Sequence, residues 1–166
     1  EGYYYMHVGG DTIVNGITCR NVSRNIMHSD GEYETLAISF ITYMEDDKVY
    51  YLQNHQFYIL YDFSAEVGDS WTSRNPWEYF NWIPPEPGED TLSTYTVDTV
   101  RFVMIDGTIL RQIYVSSSSM WYYGGYISER IGCLGFMLPG IWGIWDPPVE
   151  GIVRCYHDNE INYSTL

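Results

Sequence analysis

The apolar and polar residues of this chain alternate in short runs, and residues that favour turns separate the runs. Tyrosine, valine, isoleucine, threonine and phenylalanine dominate the runs. A period of two residues with this composition predicts β-strands. The predicted strands are Tyr3–Val8, Thr12–Val14, Ile17–Met27, Tyr33–Met44, Lys48–Gln53, Phe57–Phe63, Thr94–Ile105, Thr108–Ser116, Val153–His157 and Glu160–Ser164.

Turn signals join these strands into antiparallel hairpins. Asn15-Gly16 and Asp106-Gly107 suit two-residue turns in which both residues have positive φ, and Asp158-Asn159 marks a third hairpin. Further turns are predicted at Gly9-Gly10-Asp11, Ser29-Asp30-Gly31, Glu45-Asp46-Asp47 and Asn54-His55. The pattern predicts an all-β fold: a single antiparallel domain over residues 1–166, built as two packed sheets or a partly closed β-barrel, with little helix.

Two segments interrupt the strand pattern. Residues 73–90 contain four prolines, and residues 132–151 are rich in glycine, proline and tryptophan. Proline removes a donor from the hydrogen-bond ladder of a sheet, so both segments are predicted to be long loops. At most one short helical turn is predicted, near Pro76–Trp82, with Asn75 as its cap.

The charge of the chain excludes two classes of partner. Its 166 residues include 22 acidic and 8 basic residues, which gives a net charge of −14, and Lys48 is the single lysine. A surface this acidic repels nucleic-acid phosphates and anionic lipid headgroups. No run of residues approaches the roughly 20 apolar residues of a membrane helix. The sequence therefore predicts no nucleic-acid partner and no membrane insertion.

Motifs for catalysis or for cofactor binding are absent from the sequence. It contains no nucleophile elbow, P-loop, metalloprotease motif or dinucleotide-binding fingerprint. The histidines His7, His28, His55 and His157 stand at predicted strand ends or turns without metal-like spacing. The acidic runs at 45–47 and 158–160 favour solvated turns over calcium ligation. The sequence predicts no metal and no cofactor, and it favours a protein that is not an enzyme.

The cysteines leave more than one arrangement open. Cys19, Cys133 and Cys155 are an odd number, and no Cys-x-x-Cys pair indicates zinc. A disulfide between Cys133 and Cys155 would leave Cys19 as a buried thiol. Three buried thiols fit the count equally well, because a reduced cysteine packs like a small apolar residue.

Aromatic residues supply the candidate binding site. Tyrosine, tryptophan and phenylalanine number 17, 6 and 6. Rings on the strands, including Trp71 and Trp121, are interpreted as packing. Four tryptophans fall instead in the two predicted loops: Trp77, Trp82, Trp142 and Trp145. Exposed rings of this kind stack on sugars or on protein surfaces, so these four are the candidate ligand-binding residues, although covering the core is the other interpretation.

Several short phrases of the chain resemble a known group of proteins. The phrases are Gly10-Asp11-Thr12-Ile13-Val14-Asn15-Gly16, Asp47-Lys48-Val49-Tyr50-Tyr51, Leu60-Tyr61-Asp62-Phe63-Ser64-Ala65-Glu66-Val67-Gly68-Asp69-Ser70-Trp71, Glu129-Arg130-Ile131-Gly132 and Arg154-Cys155-Tyr156-His157-Asp158-Asn159-Glu160. Their series resembles uncharacterised secreted or cell-surface proteins of Bacteroidota, which often carry a type IX secretion sorting domain or a lipoprotein signal. Arg130 stands where that group usually has a glycine. The resemblance implies export and an extracellular or cell-surface location, and it implies no catalytic residues.

Together these observations favour a secreted or cell-surface binding module whose partner is a glycan or a protein. One alternative is an extracellular hydrolase that uses a carboxylate pair not located in the sequence. The other is a structural domain or a carrier of a small ligand.

Overall fold

The computed structural model describes residues 2–28, 33–76, 91–134, 137–141, 153 and 155–164. These residues form fourteen strands and no helix, which confirms the all-β prediction. The strands are β1 Gly2–Val14, β2 Ile17–His28, β3 Tyr33–Glu45, β4 Lys48–Gln53, β5 Gln56–Asp62, β6 Ser70–Arg74, β7 Leu92–Ile105, β8 Thr108–Ser117, β9 Trp121–Tyr122, β10 Ile127–Ser128, β11 Gly132–Cys133, β12 Gly140–Ile141, β13 Cys155–His157 and β14 Asn162–Ser164.

Two five-stranded antiparallel sheets make up most of the fold. Sheet A is a meander with the order β1-β2-β3-β4-β5, and sheet B has the order β11-β10-β8-β7-β6. Two small antiparallel pairs, β9 with β12 and β13 with β14, complete the described strands. One sheet is curled in the manner of half a barrel. No helix long and apolar enough to cross a membrane occurs in the described ranges.

The hairpin turns follow from residues that tolerate positive φ. The two central residues of the β1–β2 turn, Asn15 and Gly16, have φ of 53° and 82°. Those of the β7–β8 turn, Asp106 and Gly107, have φ of 48° and 80°. The predicted turns at 46–47 and 54–55 have the same left-handed backbone. Asparagine, aspartate and glycine enter this region at little cost, so the predicted turns at 15–16, 46–47, 54–55 and 106–107 are confirmed.

Several predicted boundaries differ from the structure. Gly9-Gly10-Asp11 is not a turn, because β1 continues through it and pairs with β2 around a bulge between Val8 and Asp11. The C-terminal hairpin turns over four residues, from Asp158 to Ile161, rather than two. Ser73 and Arg74 belong to β6 rather than to the loop predicted at 73–90, and the short strands β11 and β12 fall within the loop predicted at 132–151. The turn predicted at 29–31 and most of the helical turn predicted near 76–82 lie outside the described residues.

The core lies between sheets A and B and is dominated by rings. Sheet A contributes Phe40, Tyr51 and Leu60, and sheet B contributes Trp71, Tyr95, Val97 and Ile113, all buried in one cluster. Trp121 is also buried, so both strand tryptophans pack as predicted. The ring of Tyr95 lies 4.9 Å from that of Tyr123, and the ring of Tyr123 lies 5.7 Å from that of Tyr61. Large rings in contact remove much apolar surface from water and fix their own geometry.

Three core tyrosines hold irregular backbone with their hydroxyl groups. The hydroxyl of Tyr51 donates to the carbonyl oxygen of Arg74, and that of Tyr61 donates to the carbonyl oxygen of Met137. The hydroxyl of Tyr123 donates to the carbonyl oxygen of Leu60, 2.5 Å away. Leu60 is the extra residue of a bulge in β5, because its neighbours Ile59 and Tyr61 pair with consecutive residues of β4. The carbonyl of Leu60 is at the bulge, that of Arg74 is at the end of β6, and that of Met137 is in the irregular segment before β12, so each hydroxyl pairs a carbonyl outside the regular ladder.

The residues of the phrases quoted above have structural roles. The carboxylate of Asp62 accepts hydrogen bonds from the backbone N–H and the hydroxyl of Ser64, which turns the chain after β5. It also lies 2.7 Å from Lys48 Nζ on β4. Burial alone would raise the pKa of Asp62, but the hydrogen bonds from Lys48 and Ser64 lower it. The hydrogen bond from Lys48 to Asp62 raises the pKa of Lys48 in turn.

Two glycines of the same phrases occupy left-handed backbone. Gly68 has φ of 95° in the turn before β6, and its N–H donates to Val97 O, so the turn feeds Trp71 into the core. Gly132 has φ of 86°, and a Cβ at this position would lie 3.3 Å from the hydroxyl of Tyr61. Arg130 has φ of 67°. Glycine adopts this conformation more easily than arginine does, which gives a physical reason for a glycine at this position.

Candidate functional site

The four loop tryptophans predicted to bind a ligand lie outside the described residues. Trp77 and Trp82 fall in 77–90, and Trp142 and Trp145 fall in 142–152. The aromatic binding platform therefore stays a prediction.

The disulfide considered from the sequence is not formed. Cys155 has an exposed side chain on the C-terminal hairpin, whereas Cys133 is buried on β11 with its Sγ 4.0 Å from the carbonyl oxygen of Gly125. Cys19 is a buried thiol on β2. Because Cys155 is exposed, the arrangement with three buried thiols is not found either.

The ionisable side chains of the described ranges do not form a metal centre. No group of three or more histidine, cysteine, aspartate or glutamate residues is placed to hold a metal ion there. His7, His55 and His157 lie on strands or turns with exposed side chains.

The β7–β8 hairpin carries an apolar surface that the core does not cover. Phe102, Met104 and Ile109 are 66%, 72% and 64% exposed. We call these three residues the hairpin patch. Met104 is directly opposite Ile109 in the ladder, and Phe102 lies two residues from Met104 on the same strand. The three side chains therefore lie next to one another on one face of the hairpin.

The hairpin patch lies on the same face of sheet B as the core. Val100 pairs with Ile113, which is fully buried, and Phe102 pairs with Arg111. Alternation then places residues 100, 102 and 104 on the face that packs on sheet A. Phe102 and Met104 are nevertheless exposed, so the hairpin extends beyond the part of its inner face that is covered. The patch is thus a continuation of the apolar inner face into solvent.

Arginines fix the root of this hairpin. Arg111 donates to the carbonyl oxygen of Ala65 at 2.7 Å and to the carboxylate of Glu66 at 3.1 Å, and its guanidinium lies 5.9 Å from the ring centre of Phe102. On the opposite face, the guanidinium of Arg101 stacks 3.5 Å above the ring of Tyr126. These contacts anchor the hairpin to neighbouring segments on both of its faces.

Polar side chains from both sheets meet in the core. We call them the polar cluster: Gln53, Asn75, Ser93 and Ser119. Ser93 Oγ lies 2.5 Å from Asn75 Oδ1 and 2.5 Å from Ser119 Oγ. Gln53 Nε2 donates to the carbonyl oxygen of Asn75 at 3.0 Å, which links the end of β4 to the end of β6. Gln53, Asn75 and Ser93 are at most 2% exposed. A paired network of this kind fixes how the two sheets meet.

Beside the polar cluster, three buried polar atoms make no hydrogen bond with the described residues. They are Nε1 of Trp71, Oγ of Ser73 and the phenol oxygen of Tyr95. Trp71 is directly opposite Tyr95, and Ser73 is directly opposite Ser93. Burial raises the pKa of Tyr95, and the nearby hydroxyl of Ser93 opposes that rise only in part. Unpaired buried groups of this kind lower the stability of the fold.

An ion-pair group attaches the C-terminal hairpin to the β10–β11 turn. Arg130 donates to the carboxylate of Glu160 at 2.6 Å and to that of Asp158 at 2.8 Å. Asp158 also accepts the backbone N–H groups of Glu160 and Ile161 and the hydroxyl of Tyr156. The N–H of Glu160 contributes most to the lowered pKa of Asp158. Burial and this carboxylate together raise the pKa of Tyr156 to about 12.

Sequence reasoning did not identify the hairpin patch, the polar cluster or the Arg130 ion pairs. The signal for the patch was present, because Phe102, Met104 and Ile109 are apolar residues on both sides of a clear Asp-Gly turn. Apolar residues close to a hairpin tip, where a second layer often ends, indicate an exposed surface more than a core. The Arg130 ion pairs join residues about thirty positions apart, and no local pattern reports such contacts.

Comparison with known proteins adds no relative. No family model matches the chain, and neither the curated proteins nor the solved structures contain a match.

Proposed function

We propose that this chain is an exported binding module that is not an enzyme, and that the hairpin patch is the surface on which it binds a protein partner. The observation that supports this is the exposure of Phe102, Met104 and Ile109 side by side on a hairpin that two arginines anchor to neighbouring segments. A contiguous apolar surface on a soluble domain usually marks an interaction site. The phrases that resemble secreted proteins of Bacteroidota support the export of the chain.

The chemistry of the patch favours a protein over a glycan. Sugars stack on flat aromatic rings bordered by polar groups, whereas methionine and isoleucine match the apolar side chains at the centre of protein interfaces. The glycan alternative depends on the loop tryptophans.

The charge of the chain favours a partner with a basic rim around an apolar centre. With a net charge of −14, the chain attracts basic proteins and repels acidic ones at long range. Electrostatic attraction raises the rate of association, and the apolar centre sets the lifetime of the complex. Added salt is therefore expected to lower the rate of association and to leave the lifetime of the complex, which the apolar centre sets, largely unchanged.

Site-specific photo-crosslinking tests the proposal. The crosslinking group is placed at position 104 in one protein and at position 120 in the control, because Met104 and Met120 are both 72% exposed. Each protein is illuminated in an extract of the source cells, and any adduct that forms only from position 104 is identified and then purified separately. We expect a discrete adduct with one basic protein.

The purified partner is then titrated against the unlabelled chain. Met104→Ser is expected to weaken binding by about tenfold or more, as for a residue at the centre of an interface. Met120→Ser removes an equally exposed methionine elsewhere and is expected to bind like the parent. Equal adducts from positions 104 and 120, or equal affinities of the two variants, would contradict the proposal.

A further inference from the structure

We infer that two copies of this chain associate through the outer edge of β1, with the two β1 strands pairing antiparallel about a twofold axis. This inference uses a different surface from the hairpin patch and does not depend on the proposed function. It follows from the hydrogen bonding, the side chains and the charge of the first hairpin.

Strand β1 is a long edge strand with one described neighbour. It has 13 residues, and β2 is the only strand that pairs with it in the described part of the chain. From Gly2 to Val8 every residue pairs with β2 in unbroken register, up to the bulge at 9–11. The other side of this segment presents a regular row of backbone N–H and C=O groups. Such a row pairs readily with another extended strand.

The side chains of this segment do not block pairing. Edge strands usually carry lysine, proline or inward-pointing charges that prevent association. Residues 2–10 contain none of these and no acidic residue. Tyr5, Met6 and Val8 are 50%, 36% and 59% exposed, so apolar side chains accompany the open backbone edge. Acidic residues flank this segment at Glu1 and Asp11, and Asp11 is paired with Arg20 at 2.7 Å.

Charge selects the partner strand. Residues 2–28 contain two arginines and one aspartate, which is a net charge of +1 in a chain of −14. A basic strand is drawn to the acidic remainder of the molecule rather than to this edge, and an acidic strand is repelled by the molecule as a whole. The edge therefore suits an uncharged extended strand, and Gly2–Gly10 of a second copy is such a strand. Twofold pairing of identical surfaces is also the commonest form of association.

The inference predicts an unusual dependence on salt. The bodies of two copies repel each other, whereas their β1 edges do not, so screening should strengthen the dimer. Sedimentation velocity of the full chain, from micromolar to millimolar concentration, measures this at ionic strengths of about 0.01 M and about 1 M, where the Debye length is about 30 Å and about 3 Å. We expect a monomer–dimer equilibrium that is tighter at the higher ionic strength. A chain that is monomeric throughout would overturn the inference.

Two lysine variants distinguish an effect at the β1 edge from an effect of net charge on dimerisation. Val8→Lys and Met120→Lys each make the net charge less negative by one, but only the first places a cation on the edge of β1. We expect Val8→Lys to weaken the dimer by about tenfold or more, because the two lysines face the same strand pair. Met120→Lys should leave the dimer unchanged or slightly tighter. A dimer that Val8→Lys does not weaken, or that both variants weaken equally, would overturn the inference.

Hydrogen exchange on the parent protein locates the contact without any substitution. Dimerisation through β1 should slow the exchange of amides between residues 2 and 8 as concentration rises. If the slowed amides lie at residues 102–109 instead, the dimer forms through the hairpin patch and the edge inference is wrong.

Discussion

Two neighbouring tyrosines of the core should respond in opposite ways to the same substitution. The side chains of Tyr95 and Tyr123 are both buried, at 0% and 3% exposure, and their rings are in contact. Replacing either by phenylalanine removes one hydroxyl oxygen and keeps the ring. The hydroxyl of Tyr123 donates to the carbonyl oxygen of Leu60, whereas that of Tyr95 has the hydroxyl of Ser93 nearby but no described partner at full hydrogen-bond geometry. The pair therefore compares a fully paired with a poorly paired hydroxyl in one environment.

The expected magnitudes follow from what each change leaves behind. Tyr123→Phe leaves the carbonyl oxygen of Leu60 buried at a bulge without its donor, which costs about 1–3 kcal/mol of unfolding free energy. Tyr95→Phe removes a group that is buried unpaired, so the desolvation penalty disappears. In the parent protein, the nearby hydroxyl of Ser93 already offsets part of that desolvation penalty. We therefore expect Tyr95→Phe to leave the unfolding free energy unchanged or to raise it by up to about 1 kcal/mol.

Urea denaturation followed by circular dichroism measures both values. The slope of free energy against urea should stay the same in the parent and both variants, because no substitution changes the surface exposed on unfolding. The midpoint should fall for Tyr123→Phe and stay level or rise for Tyr95→Phe. If Tyr95→Phe costs as much as Tyr123→Phe, the two hydroxyls are equivalent and the argument from hydrogen bonding is wrong.

Two further predictions concern the β10–β11 turn. Gly132→Ala should lower the unfolding free energy by about 1–3 kcal/mol, because alanine is strained at this positive φ and its Cβ would press on Tyr61. Gly107 has a similar φ with open space around it, so the loss of unfolding free energy in Gly107→Ala measures the backbone strain alone. Equal losses of unfolding free energy for the two variants in urea denaturation would exclude a contribution from the Tyr61 ring. The pKa of Asp158 is lower in the folded protein than the usual 3.8, so its ionised carboxylate stabilises the attached C-terminal hairpin at pH values above 3.8. This contribution is lost as the pH falls below 3.8 towards the pKa of the folded state. The protection factors of the amides in residues 155–164, which correct for the intrinsic effect of pH on exchange, should therefore fall in acid. Arg130→Gln should already show lower protection at neutral pH, and equal protection of the two proteins at neutral pH would argue against the ion pairs.

The strands and turns of this fold are largely predictable because they depend on local chemistry. Asn15-Gly16 and Asp106-Gly107 turn wherever they stand between two strands, since few other residue pairs accept two positive φ values in a row. The segment at 9–11 was predicted wrongly for a related reason. Two glycines followed by aspartate suit a turn or a bulge, and the choice between them depends on whether the partner strand continues, as β2 does.

The candidate surfaces depend on distances that the sequence does not contain. The alternation of residues 100, 102 and 104 indicates one shared face, but it does not tell where sheet A stops covering that face. The same holds for the edge of β1, whose exposure follows from the order of strands in sheet A. The order of strands in sheet B, which brings β10 rather than β9 next to β8, is likewise not written in any local pattern.

The tyrosine hydroxyls in the core have a consequence for variation among sequences that share this fold. Tyr51 and Tyr61 bind the backbone carbonyls of Arg74 and Met137, which stand shortly before the segments 77–90 and 142–152. Every amino acid has a backbone carbonyl, so both anchor points persist whatever side chain occupies position 74 or 137. The roots of both segments are thereby held by the core independently of their own composition. The side chains at positions 74 and 137 can therefore be exchanged while these hydrogen bonds, and the sheets that they support, stay as they are.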